Sequence, residues 1–428
     1  MSKRKVRIKM GAPVVVAQAD LTVRQWGEFQ FPTVLERLPD GQLHVSFTQE
    51  GHRDSAADYG KPLHHCISHD SGETWLKADE QNLKPIFPGG WSGGGGPALT
   101  ITPNGDWLLP NRRPSIKADD LQLPKPISED SHLFMADDFP QELAGWRIFR
   151  KPAGSSQWTG EYPEVNIPGA LRGVIAADIE VNIVGEIRRI ENGILPFPSF
   201  DFIYAISDGS LLSPVQFNRR LANGHVQHDL SVGFLSSHDN GHSWELLSIV
   251  DYTPDKRNDP TWEAREKLAW HEGFCEPGVT FLPDGSILCL MRTTSGSTII
   301  GPLYWMRSKD NGRTWSAPEI FDDIGVWPRM VTLGNGVTLA CYGRPGFHLR
   351  ASADPSGLDW DERFEVIRPA PNRNNCCWHN MDTCGYGSLL ALDDQTALLV
   401  YSDFEYPSGP CRVACKTILS RQITTQKA

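Results

Sequence analysis

Fifteen residues of this 428-residue chain sit where they could do chemistry together, although they are scattered along it. Arginines end apolar runs again and again: Arg112 and Arg113, Arg219 and Arg220, Arg292, and Arg344. Before such runs stand Gln30, Gly95 and Gly96, Asp201, Glu276, Arg329 and Tyr386, and the stretch QEGHRDSAADYG (49–60) carries Asp54 and Asp58. Guanidinium groups grip anions and hydroxyl-rich ligands through a fixed fork of donors, so a mouth lined with arginine, a few carboxylates and a tyrosine suits an anionic or polyhydroxylated ligand. The alternative is that each arginine pairs with an acidic neighbour at a rim. A phenol ionises near pH 10 and is a weak nucleophile at neutral pH, but against a carboxylate that takes its proton it can attack an anomeric carbon.

What must position these residues is a set of repeated hairpins. PTVLERLPDGQLHVSF (32–47), PALTITPNGDWLLP (97–110), PGVTFLPDGSILCL (277–290) and PRMVTLGNGVTLAC (328–341) each read as an apolar run, a Gly-containing turn and a second apolar run. FDFIYAISDGSLLSPVQF (200–217) and GSLLALDDQTALLVY (387–401) are weaker copies, which makes six. A second phrase follows three of them: SHDSGETW (68–75), SHDNGHSW (237–244) and SKDNGRTW (308–315), with SADPSGLDW (352–360) as a degenerate copy. Its Asp can bond the backbone two residues on, its Gly can take positive φ, and its Trp can be buried, so it marks a turn between strands.

The phrase S-x-D-x-G-x-[ST]-W resembles the Asp-box, or BNR repeat, of the sialidase (neuraminidase) superfamily. That resemblance implies an all-β fold, a six-bladed β-propeller forming a single domain over 1–428, with insertions at about 114–196 and 252–275. It covers nearly the whole chain at the level of repeats. In such a blade the innermost strand crosses the disc and the next returns, so the hairpin ends meet around the axis and the Asp-boxes lie on the other face. The terminal strands would close the ring. Within the second insertion, DPTWEAREKLAWHEG (259–273) predicts a short helix with Asp259 as N-cap and Pro260 at its first position.

The family's site residues map in part. Tyr386 stands where its tyrosine nucleophile belongs and Glu276 where the paired glutamate belongs; Arg292 and Arg344 match two of its three substrate-gripping arginines. Asp54 or Asp58 would be the acid/base. The departure is Gln30, in FQFP, where the family carries its remaining arginine. Glutamine lacks the charged fork that selects a carboxylate, so either Arg112, Arg113 or Arg329 substitutes or the ligand is not a sialic acid. Three function classes stay open: a retaining exo-glycosidase, a non-catalytic carbohydrate-binding propeller, and a polysaccharide lyase drawing on His52, His64, His65, His271 and Tyr386.

Composition narrows the partners. With 39 Gly, 32 Pro, 14 Trp and only 22% charged residues the chain reads as a turn-rich β protein, and its formal charge of −11 disfavours nucleic acid. No stretch has the length of a transmembrane helix. Nine cysteines without regular spacing argue for reduced thiols in a cytosolic protein. Secretion is the alternative if MGAPVVVAQAD, with Ala17-Gln18-Ala19, is a leader rather than a first strand; Pro13 breaks the apolar run and favours the strand. Cys376, Cys377, His379 and Cys384 fit no standard zinc spacing, and neither metal nor organic cofactor is called for.

Overall fold

The computed structural model describes residues 5–18, 28–50, 63–78, 98–111, 115–117, 124–128, 133–139, 146–173, 179–183, 186–190, 192–194, 200, 202–267, 273–293, 299–369, 382–404 and 417–428. Strand is the dominant regular structure among these residues, and the six hairpins read from the sequence lie in six successive sheets, numbered here I to VI. Sheets I, II, IV and V have four strands each, sheet VI five and sheet III seven; two further two-stranded ladders, among residues 115–194, stand apart.

The chain divides into two compact units. The first holds sheet I (Glu28–Arg37, Leu43–Glu50, Leu63–Ser68, Leu76–Lys77), sheet IV (Cys275–Phe281, Ile287–Arg292, Leu303–Ser308, Glu319–Asp322), sheet V (Val326–Thr332, Thr338–Gly343, Phe347–Ser352, Phe364–Ile367) and sheet VI. In sheet VI, Gly387–Ala391, Thr396–Asp403 and Thr417–Lys427 are joined at the edge by Val6–Met10 and Val14–Gln18.

Apolar alternation drives the packing, since each strand buries one face against the next sheet. Leu288 and Leu290 of sheet IV share a core with Ala340 and Tyr342 of sheet V. The opposite face of sheet V, with Leu339 and Leu349, packs on Leu399 and Ile423 of sheet VI, and Leu398 and Val400 of sheet VI pack on Val45 and Cys66 of sheet I. The first strands of these sheets run close together. A Cβ on Gly278 would lie 2.2 Å from the Pro328 carbonyl oxygen; likewise one on Gly343, which ends the second strand of sheet V, would lie 2.2 Å from the Cα of Gly385, just before the first strand of sheet VI. Ser388 donates to the Pro32 carbonyl at 3.1 Å.

The second unit holds sheets II and III, with Leu108 and Ile148 of the former in one core with Leu211, Val215 and Trp244 of the latter. Arg150, buried in sheet II, shares its Nε between both Glu161 oxygens at 2.9 Å and donates through Nη1 to Asp106 at 3.0 Å and the Asn240 carbonyl at 2.9 Å. Sheet III departs most from a four-stranded plan, because Leu133–Met135, Glu164–Val165 and Ala170–Gly173, all from the stretch read as an insertion, are added to it.

The repeated phrase is the same turn three times. The serine hydroxyl donates to the Asp Oδ1 at 2.8 Å in each copy: Ser68 to Asp70, Ser237 to Asp239, Ser308 to Asp310. That Oδ1 then takes the N–H four residues on at 2.9 Å. Ser71–Gly72, Asn240–Gly241 and Asn311–Gly312 all have positive φ, the conformation of a tight turn that matches strand twist. In the degenerate copy Asp354 still takes the N–H of Leu358, at 3.1 Å. The turn also works between sheets: Cβ atoms on Gly72, Gly241 and Gly357 would strike Leu398, Leu108 and Leu282, each on the preceding sheet or its hairpin.

Of the helix expected over 259–273 the described residues contain Trp262–Glu266, with Thr261 rather than Asp259 at its N-cap, and 268–272 lie outside the described residues. Asp259 is committed elsewhere: its carboxylate takes the Thr261 N–H and hydroxyl at 2.8 Å and pairs with Arg265, both side chains being fully buried.

Candidate active site

Three first strands carry the same break. Phe31, Glu276 and Trp327 have φ of 53°, 50° and 49°, and each precedes a proline, Pro32, Pro277 and Pro328. The ladder slips at all three, between Gln30 and Val34, between Cys275 and Gly278, and between Val326 and Arg329. A left-handed residue turns its N–H out of the ladder, and proline behind it has none to offer. The freed groups bind across sheets: the Trp327 N–H donates to Glu276 Oε2 at 2.9 Å, and the Phe31 N–H to Cys384 Sγ at 3.4 Å. In sheet VI the corresponding position is Gly385, φ 79°, where a Cβ would lie 3.1 Å from that of Arg344; glycine there lets Tyr386 follow at once.

Around these breaks four of the fifteen residues converge. Tyr386 donates its hydroxyl to Glu276 Oε1, and Arg292 Nη1 reaches the same oxygen at 2.7 Å and the Tyr386 oxygen at 3.2 Å. Arg344 lies close enough to act electrostatically on both Glu276 and Tyr386, while its Nη2 donates to the Cys384 carbonyl at 3.0 Å. The Tyr386 ring stacks on Trp327, centroids 4.9 Å apart and planes at 27°, and takes the edge of Phe31 at 4.7 Å.

Two guanidinium groups thus attend one carboxylate, an excess of positive charge in a buried place. Burial opposes ionisation of Glu276, but Arg292, the Tyr386 hydroxyl, the Trp327 N–H and Arg344 outweigh it and hold the carboxyl below its ordinary value. The Tyr386 phenol is pushed far up, first by burial and then by the Glu276 charge, against the pull of both arginines. The phenol is therefore neutral and hydrogen-bonded to a carboxylate that is ionised and able to take its proton.

The other candidates are placed differently. Arg329 donates to the carbonyls of Pro328 at 2.8 Å and Pro277 at 3.5 Å, and its guanidinium lies 3.7 Å from the Trp327 ring centroid. Gln30 belongs to the strand Glu28–Arg37, its backbone opposite Thr48. Counted from the prolines, Phe31 and Trp327 are the counterparts of Glu276, so Gln30 stands one residue too early and Arg329 two too late. Asp54, Asp58, Arg112 and Arg113 lie outside the described residues, as do Asp201, His52, His271, Cys376, Cys377 and His379. Arg219, in the second unit, pairs with Asp251 at 2.5 Å, as an arginine at a rim would.

His65 is pushed down to about 3 by burial and by His44 and His64; His44 links it, at 2.9 Å, to Glu36 at 2.8 Å. Among the described residues no group of three or more His, Cys, Asp or Glu could hold a metal. The residues the sequence did not single out are Trp327 and Phe31, whose signal was their place before the proline that opens a hairpin phrase; Cys384, weighed only as a metal ligand, instead takes the Phe31 N–H.

No family model matches the sequence, and no curated protein matches it. Solved structures do. A protein of unknown function from Dyadobacter fermentans aligns over 98% of this chain and 99% of its own, with a TM-score of 0.61 and 18% identity. The Penicillium chrysogenum alpha-L-arabinanase, complexed with arabinobiose, aligns over 96% and 98%, with a TM-score of 0.51 and 14% identity. The microbial sialidase Hz136 aligns over 92% and 65%, at 0.48 and 15%. At such identities it is the fold that is shared, and the fold is an all-β propeller.

Proposed function

We propose that the protein is a carbohydrate-active propeller enzyme, a retaining exo-glycoside hydrolase with Tyr386 as nucleophile and Glu276 as its base. The carrying observation is the contact among Tyr386, Glu276 and Arg292, drawn from two different sheets. As the phenol oxygen attacks the anomeric carbon, its proton passes to Glu276. The glycosidic C–O bond breaks, and Asp54 or Asp58 protonates the leaving oxygen. The same aspartate then takes a proton from water, which attacks the glycosyl carbon, and as the bond to Tyr386 breaks Glu276 returns its proton to the phenolic oxygen. Arg292 and Arg344 hold the substrate.

We count sheet III as a blade, which brings the propeller to six, and assign the repeated turns as Asp-boxes of the sialidase superfamily. Gln30 in place of the family's arginine supports a sugar other than a sialic acid, with Arg112, Arg113 and Arg329 as the alternative grips. The fold shared with an arabinanase bound to arabinobiose puts neutral oligosaccharides among the substrates to test. We place the protein in a reducing compartment, since the five described cysteines are all free and buried.

The test is a screen of 4-nitrophenyl glycosides, a fluorogenic sialoside and uronate-containing oligosaccharides with product analysis. Release of a sugar with retained anomeric configuration, abolished by Tyr386→Phe, supports the proposal. An unsaturated product absorbing in the ultraviolet would instead mark a lyase, and saturable binding of an oligosaccharide without turnover would mark a lectin.

A further inference from the structure

Trp327 touches both members of the Tyr386–Glu276 pair, and by different means. Its main-chain N–H binds Glu276 Oε2 at 2.9 Å, and its indole stacks on the Tyr386 ring. The two Glu276 oxygens have separate duties: Oε1 serves the phenol and Arg292, while Oε2 is held by Trp327. Released from that N–H, the carboxylate could turn both oxygens to the Arg292 fork, the geometry such pairs favour, and leave the phenol. The N–H is available only because Trp327 sits at φ 49°, a conformation that L-residues avoid and keep only where the surroundings impose it. Those surroundings are the Arg329 guanidinium 3.7 Å from the indole centroid, anchored on the Pro328 and Pro277 carbonyls, and burial that leaves Trp327 1% exposed.

We propose that Trp327 is a positioning residue for the pair, orienting Glu276 through its backbone and Tyr386 through its ring, with Arg329 as the support behind it. This gives Arg329 a role away from the substrate. It rests on the reading of Tyr386 and Glu276 as the reacting groups, yet its two halves can be separated without any substrate. Glycine accepts positive φ freely, so Trp327→Gly keeps the N–H to Glu276 and removes only the stack. Valine, β-branched, resists that conformation, so Trp327→Val removes both. Trp327→Phe keeps both.

The experiment places 3-fluorotyrosine at position 386 of the full chain and follows its ¹⁹F resonance with pH, with near-ultraviolet circular dichroism recording the native fold. Burial is the main cause of the raised phenol, so opening one face in Trp327→Gly brings the onset of ionisation down into the pH range the fold survives, while Trp327→Phe, like the parent, shows no ionisation before the fold is lost. Trp327→Val shows a broadened resonance, from a carboxylate no longer held. A Trp327→Gly titration that matches the parent overturns the proposal.

Should the variants not fold, the parent chain carrying 5-fluorotryptophan at 327 answers the same question. Its resonance moves on Tyr386→Leu if the rings are stacked, and a resonance indifferent to that replacement overturns the proposal. Glycoside turnover is measured separately. A chain that shows these shifts but hydrolyses nothing refutes the reacting pair and leaves the positioning intact; a hydrolase without the shifts does the reverse.

Discussion

Tyr386 and Arg292 share one acceptor atom, Glu276 Oε1. The carboxylate that would take the phenolic proton is therefore held on the same oxygen by a permanent cation. The cation keeps the base ionised and also weakens it, a compromise that suits a group that must accept a proton and then return it.

Glu276→Gln separates these effects. Loss of the negative neighbour lets Tyr386 ionise at lower pH than in the parent, while loss of the proton acceptor lowers kcat/KM on the responsive glycoside by about 10²–10⁴-fold. Phenol titration and kinetics on one preparation check both. A fall in both phenol pKa and barrier would mean that the phenolate alone suffices.

The same glutamate makes stability depend on acid. Its carboxyl lies below its ordinary value of about 4.5 in the fold, so its contribution is complete above that value and disappears as pH falls through the lower, folded one. Urea midpoints measured between pH 6 and pH 3 should drop more steeply for the parent than for Glu276→Gln. Parallel curves would show the carboxylate to be compensated elsewhere.

Trp244 closes one repeated turn and is buried in the core shared by sheets II and III. Trp244→Ala should cost about 3–5 kcal/mol, and turnover of the folded remainder should be unchanged. Denaturant melts beside initial rates decide this; a stable variant that had lost activity would place the turn at the site.

The Asp259–Arg265 pair is fully buried, and Arg265 also donates to the Thr293 carbonyl at 3.2 Å, the residue after Arg292. Removing one partner strands a charge, so Arg265→Met should cost about 3–5 kcal/mol, and adding Asp259→Leu should recover much of that loss. A double variant no more stable than the single would point to the Thr293 contact instead.

The hairpins and repeated turns could be read in advance because each is written locally: alternation, a Gly turn, an Asp two residues ahead of its Gly. Glu276, Tyr386, Arg292 and Arg344 stood out because strand ends are countable from such phrases. The left-handed break is different. It depends on a neighbouring sheet supplying an acceptor for the freed N–H, as Glu276 does for Trp327, and nothing within VWPRM announces that acceptor. The same break explains why Gln30 and Arg329 are out of register with Glu276. The helix N-cap moved for a comparable reason: Asp259, suited to a cap by type, pairs instead with Arg265 six residues on.

Sheet VI joins strands from opposite ends of the sequence, with Val6 opposite Lys427. During synthesis the first of these strands waits for a partner 421 positions later, roughly 20–80 s at about 5–20 residues per second. Throughout that interval Val6–Met10 and Val14–Gln18 lack the neighbour that pairs with them both, an open edge of the kind other chains can add to. Joining such remote segments is also what slows folding. The yield of this protein in a cell should thus depend less on the candidate site than on how long the ribosome takes to deliver Thr417–Lys427, and on which holding factors cover the edge meanwhile.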